Sequence, residues 1–154
     1  MGSDFRKVGG KMPERIKKDI VFTNGCFDVF HYGHLHILRE AKKLGDFLIV
    51  GINSDESVKR LKGKDRPIFS YNYRADIIAS ILYVDGVVSF DDDTPLELIK
   101  RIKPKILVKG GDWKGNVVGS DFVKSIGGSV KMIDIIPGFS TTEIIKCIKE
   151  QSTG

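Results

Sequence analysis

The chain is poor in the residues that staple a small protein or load it with metal. Its 154 residues include two cysteines (Cys26 and Cys147), three histidines, one tryptophan and five prolines. The cysteines form neither a CxxC pair nor a disulfide framework, which removes the thiolate zinc cage and the bridged secreted scaffold from consideration. No apolar run approaches the roughly 20 residues of a membrane-spanning helix. The opening stretch "MGSDFRKVGGKMPERIKK" lacks the apolar centre of a secretory signal. These absences together predict a cytoplasmic protein with no membrane partner, and no internal repeat or low-complexity segment contradicts that.

What is present suits a single folded domain. With 41% hydrophobic and 29% charged residues the chain can bury a core without structural metal. The net charge is +5, from 25 Lys and Arg against 20 Asp and Glu. That excess fits a polyanionic ligand or merely a solvated basic surface. Nucleic acid is not the expected partner, because the aromatics sit in strands and motifs instead of alternating with basic residues along one face. Residues 1–18 read as a leader ahead of a domain over 19–154. Met12 is an alternative natural start, which would make residues 1–11 an artificial extension.

Short apolar runs alternate with stretches of helical period. "IVFTN" (20–24), "FLIVGIN" (47–53), "VVSF" (87–90), "ILVKG" (106–110) and "SVKMIDI" (129–135) read as strands buried on both faces. "GHLHILREAKKLG", "NYRADIIASILYV", "TPLELIKRIK" and "STTEIIKCIKEQ" read as helices, the first ending at Gly45, the third capped by Thr94 and the last opening at Ser140. The alternation predicts an α/β fold: a doubly wound, Rossmann-like, five-stranded parallel sheet in one domain. Ligands of such sheets sit beyond the carboxyl ends of the strands, where the strand order reverses. That puts the site at "NGCFDVFHYGH". No GxGxxG or GxxxxGK[ST] follows the first strand, so another device must hold an anion there.

All three histidines lie in "HYGHLH" (31–36). His31 and His34, three apart, share one face of a helix start, whereas His36 points elsewhere. Zinc would need two more ligands, with Cys26 and Asp28 the local candidates, but the spacing matches no common zinc pattern. A pair without a role stays open beside it. Phosphate is served better, since the N–H groups and dipole of a helix start favour an anion and imidazoles add donors. Gly33 leaves room for close approach. "FDDDTP" (90–95) reads as a solvated loop and helix start, not a metal site.

"TNGCFDVFHYGH" (23–34) resembles the signature T-x-G-x-F-D-x-x-H-x-G-H of the HxGH nucleotidyltransferase superfamily. "PGFSTTEII" (137–145) is similar to that superfamily's G-I-S-T-T stretch. "INSDESVKRLKGKDRPI" (52–68), "YRADIIASILYVDGVV" (73–88) and "VKGGDW" (108–113) carry the likeness over roughly residues 19–150. The pattern looks most like the bacterial heptose 1-phosphate adenylyltransferases in stand-alone form. Glycerol-3-phosphate cytidylyltransferases are the alternative; they carry an arginine before G-I-S-T-T, where this chain has Ile135.

The resemblance implies transfer of AMP from ATP to a sugar phosphate, with pyrophosphate leaving and Mg2+ carried in on the ATP. The product would be an ADP-heptose for lipopolysaccharide or another glycoconjugate. It implies a homodimer or larger homo-oligomer, and no metal ligands of the protein's own. His31, His34 and Lys62 are the expected catalytic residues. Thr23, Asn24, Gly25, Phe27, Gly33, Lys109, Gly110, Asp112, Ser140, Thr141 and Thr142 would bind nucleotide. Asp28, Arg74 and Trp113 would bind the second substrate, Asp28 through sugar hydroxyls or a magnesium-bound water and Arg74 through phosphate. An arginine at a helix start implies a bound anion or an acidic partner such as Asp76.

Overall fold

The computed structural model describes residues 5–6, 19–111 and 115–152. The central strand β2 (Ile20–Gly25) is flanked by β3 (Phe47–Asn53) on one side and β5 (Ile106–Gly110) on the other. Beyond β3 lies β4 (Gly86–Phe90), and beyond β5 lies β6 (Ser129–Ile133). All four of these pairings are parallel, and the sheet order β4-β3-β2-β5-β6 reverses between β2 and β5. The expected five-stranded parallel sheet is therefore present, and the carboxyl end of β2 sits at the reversal. One strand was not expected: β1 (Phe5–Arg6) pairs antiparallel with β4 at the edge. Two residues carry no period, so the sequence could not announce it. The rest of the leader expected over 1–18 lies outside the described residues.

Alternation along the strands splits the core into two layers. Val21, Leu48 and Val50 face the side covered by α1 (Tyr32–Lys42) and α3 (Tyr71–Ala79), where Leu38, Ala41, Ala75 and Ile78 meet them. Phe22, Ile49 and Leu107 face the other side, covered by α4 (Leu96–Ile102) and α5 (Ser120–Ser125) through Leu98, Ile99 and Val123. Successive residues of a strand point to opposite faces, which is why unbroken apolar runs were needed. Two short helices, α2 (Asp55–Lys62) and α5, had no readable apolar stripe. The cap of α2 was legible after the fact: Ser54 accepts the Ser57 N–H at 3.0 Å, ahead of Asp55 and Glu56.

Several boundaries moved. α1 stops at Lys42, and Gly45 is required instead by close approach, since a Cβ there would lie 2.6 Å from the Asp19 carbonyl oxygen. α4 is capped by Pro95, one residue later than the expected Thr94. The aspartates of "FDDDTP" face a cation: Arg60 Nε donates to Asp93 Oδ1 at 2.9 Å, so this loop is pinned to α2. The last helix, α6 (Thr141–Gln151), lies across the carboxyl end of the sheet and buries none of its residues.

Candidate active site

The chain leaves β2 through a loop that no regular element could replace. Phe27 and Val29 both take positive φ, 50° and 51°, a left-handed backbone that non-glycine residues adopt only when their surroundings force it. Phe27 is packed into the core, so burial of its ring helps to hold the turn. The loop delivers His31 as the N-cap of α1 and His34 one turn in.

The two imidazoles stack, with ring centroids 3.7 Å apart and planes 22° off parallel. His34 is further walled by Phe27 and Phe30, with centroids at 5.1 and 5.7 Å. Burial, and then the neighbouring His31, push the His34 pKa down to about 3. Burial lowers that of His31 as well. Both rings are therefore neutral near pH 7. His34 Nδ1 accepts the His31 backbone N–H at 3.4 Å, which assigns the ring proton to Nε2. His31 Nδ1 is shielded from solvent and has no partner among the described residues.

Gly33 is needed here for a reason other than ligand approach. A Cβ would lie 2.9 Å from His31 Cε1 and 3.0 Å from the Phe139 carbonyl oxygen. The ring of His31 and the entry to α6 both rest on this bare backbone. Gly110 likewise makes room for Ile37 of α1, whose Cδ1 a Cβ would meet at 2.6 Å, and at Gly25 the Phe27 ring would lie 3.2 Å away.

Gly25, Phe27, His31, Gly33 and His34 line a cleft of about 650 Å³ at the carboxyl ends of β2, β3 and β5, and Gly110 is not part of that lining. Its lining brings together His31, His34, Asn24, Lys62, Lys109 and the α6 start at Ser140, Thr141 and Thr142. Lys109 Nζ donates to Asn24 Oδ1 at 2.7 Å, and burial lowers its pKa. Lys62, expected on a loop, is the exposed last residue of α2, and Gly63 caps that helix. Ser140 behaves as a plain N-cap, accepting the Glu143 N–H at 3.1 Å. Thr141 Oγ1 donates to the Asp28 carbonyl at 2.8 Å, tying α6 to the β2–α1 loop. Thr142 stays exposed at the rim.

Three expected contacts are corrected by the structure. Thr23 is buried, and its hydroxyl donates across the sheet to the Val108 carbonyl at 3.2 Å, away from the cleft. Arg74 is 0% exposed and donates to the carbonyls of Phe69, Cys26 and Asn53 and to Asp55 Oδ1. It cannot reach a substrate phosphate, because its guanidinium is enclosed and serves four protein acceptors. Its acidic partner is Asp55, at 2.8 Å, instead of Asp76. Asp28 is also enclosed: it accepts Arg66 Nε–H at 2.8 Å and the N–H groups of Ile68 and Phe69 at 2.7 and 2.9 Å. Both oxygens accept from protein donors and the side chain is 0% exposed, so it presents no surface to the cleft in this structure. Burial alone would raise its pKa, but these donors hold it below the usual carboxylate range. Asp112 and Trp113 lie outside the described residues.

Sequence reasoning missed Arg66 and Asn53, which line the cleft from segments distant in sequence. The "RP" step in "KDRPI" was the available signal for Arg66. His36 is the bystander expected from its angle, facing a separate cleft beside Lys131 and Pro137. Among the described residues no group of three or more His, Cys, Asp or Glu side chains could hold a metal ion, and no helix is long and apolar enough to cross a membrane.

Comparison with known proteins agrees with this geometry. A profile described as cytidylyltransferase-like matches residues 22–147. Bifunctional protein HldE of Nitratiruptor sp. is 60% identical over 151 residues, covering 93% of this chain and 31% of its own. HldE of Campylobacter fetus is 56% identical over 137 residues, covering 88% of this chain and 29% of its own. The chain thus spans under a third of the length of these relatives. The crystal structure of the lipopolysaccharide core biosynthesis protein from Thermoplasma volcanium superposes with a TM-score of 0.63 at 33% identity, covering 77% of this chain and 97% of that one. With the profile spanning both helix starts that face the cleft, the chain belongs to the cytidylyltransferase-like family and is an HxGH nucleotidyltransferase.

Proposed function

We propose that this chain transfers AMP from ATP to a heptose 1-phosphate, releasing pyrophosphate and forming an ADP-heptose. One observation carries the chemistry: two helix N-termini, a neutral imidazole pair and two lysines converge on one cleft. Such a cleft is suited to a triphosphate, whose oxygens take N–H donors and cations together. The heptose acceptor is supported by the HldE relatives and by the lipopolysaccharide core protein of Thermoplasma volcanium. ATP over CTP is supported by Ile135, an exposed apolar residue where the cytidylyl enzymes carry arginine.

In this reading the sugar phosphate oxygen is already an anion, so no general base is required. Its lone pair attacks the α-phosphorus, the bond to the β-phosphate bridging oxygen breaks, and pyrophosphate leaves in line. His34 donates its Nε2 proton as a hydrogen bond to an α-phosphate oxygen and stabilises charge as it develops. His31 and Lys62 serve the departing phosphates, while Lys109 and Thr142 help to hold the nucleotide. Gly25, Phe27 and Gly33 contribute shape by fixing the loop. A magnesium ion carried in on the ATP phosphates would neutralise part of their charge without ligands from the protein. The cytoplasm, where ATP is abundant, is the compartment this activity requires.

The test is pyrophosphate release with Mg2+, pairing ATP or CTP with heptose 1-phosphate or glycerol 3-phosphate. Turnover confined to ATP with heptose 1-phosphate is expected. Turnover confined to CTP with glycerol 3-phosphate would overturn the substrates and keep the mechanism.

A further inference from the structure

We infer that Arg66 is a phosphate-binding residue of this cleft and that Asp28 is its positioning partner. The inference rests on the nucleotidyl-transfer reading above and adds a residue to it. Arg66 follows α2 and lies 16% exposed, while the Asp28 side chain beneath it is 0% exposed. Their contact is through Arg66 Nε alone, at 2.8 Å to Asp28 Oδ2. Neither η-nitrogen has a hydrogen-bond partner among the described residues, and the side chain lines the same cleft as His31, His34 and Lys109. A guanidinium held by its ε edge presents its two η-nitrogens as a fork, a shape that matches two oxygens of one phosphate.

The contrast with Arg74 sharpens the assignment. Both arginines meet a carboxylate, but Arg74 spends its ε- and η-nitrogens on protein oxygens, three of them backbone carbonyls. Arg66 spends one nitrogen and keeps two for the cleft. Asp28 also accepts the N–H groups of Ile68 and Phe69, so it fixes the backbone that carries Arg66 as well as the guanidinium itself. Lys62 beside it is an exposed flexible cation that could supply charge but no fixed geometry. The ligand is a substrate phosphate, from either the nucleotide or the sugar.

Arg66→Gln separates binding from structure, because the glutamine amide nitrogen falls where Arg66 Nε stands and can still donate to Asp28. Steady-state KM for ATP and for heptose 1-phosphate would be measured separately, with thermal midpoints alongside. The expected result is a KM at least tenfold higher for one substrate, at a thermal midpoint close to that of the wild type. A rise confined to heptose 1-phosphate assigns the acceptor phosphate, and a rise confined to ATP assigns the nucleotide. Asp28→Asn should raise the same KM less steeply. Unchanged KM for both substrates in Arg66→Gln would overturn the inference. Should that variant fail to fold, Arg66→Lys replaces it, with the same tenfold threshold. If the wild type turns over none of the substrate pairs, the functional reading fails by itself. Calorimetric binding of inorganic pyrophosphate then decides on Arg66: tenfold weaker binding in the variant sustains it, and equal binding sinks it.

Discussion

Two helix starts face the cleft, and they are held in opposite ways. α1 emerges from the central strand and drives Leu38 and Ala41 completely into the core, behind a loop with two left-handed residues. α6 buries no residue at all, and its Ile148 is 58% exposed. What holds the α6 start in place comes from the first region: the Phe139 carbonyl against Gly33, and Thr141 on the Asp28 carbonyl. The lesson is one of dependence. The imidazole pair sits on the start anchored in the core, and the second start is located by leaning on the first.

The largest effect should come from the anchored start. His34→Ala is expected to lower kcat by about 10²–10³-fold, the usual cost of deleting a donor aimed at developing charge. Removing Thr142 at the other start should cost far less, and equal losses in a pyrophosphate-release assay would erase the distinction. In stability, Leu38→Ala should cost about 2–5 kcal/mol by leaving a cavity, against about 0.5 kcal/mol or less for Ile148→Ala on the exposed face. Urea denaturation of both variants checks this.

Where the two regions meet, Gly33→Ala should cost about 1–3 kcal/mol as overpacking forces the His31 ring and the Phe139 carbonyl apart. It should also lower kcat/KM, so a fully active Gly33→Ala enzyme would mean the contact does not locate α6. Thr141→Val, which keeps shape and removes the donor to Asp28, should cost about 1 kcal/mol and raise the nucleotide KM with kcat little changed.

A further effect is a pH dependence. His34 resists protonation in the folded protein down to about pH 3, whereas the unfolded chain takes up that proton near pH 6.5. Between those values the unfolded state binds more protons, so stability falls as pH falls. His31 contributes with the same sign. The thermal midpoint of wild type should therefore drop more between pH 7 and pH 5 than that of His34→Gln, as read by calorimetry.

The five parallel strands were legible because each carries a short apolar, β-branched-rich run with a glycine, aspartate or proline near its ends; burial on both faces is complete along β3 and fails at the edge strand β6, where Lys131 and Met132 are exposed. The histidine pair and the hydroxyl-rich start at Ser140 were legible because helix starts have local chemistry. Arg74 and Asp28 were misread for one reason: a charged residue in a motif looks the same in sequence whether it meets a ligand or a backbone. Asp28 and Arg66 are 38 positions apart and Arg74 and Cys26 are 48 apart, distances over which no periodicity reports.

By itself the sequence determined the period of the long elements, the sheet class and the position of the cleft at the end of the first long strand, all properties of neighbouring residues and of burial. Only the tertiary structure decided which charges remain free. Arg74 and Asp28 are saturated by protein partners and Arg66 is not, because the packing of distant segments determines whether a buried polar group is satisfied from within or must find its partner in a ligand.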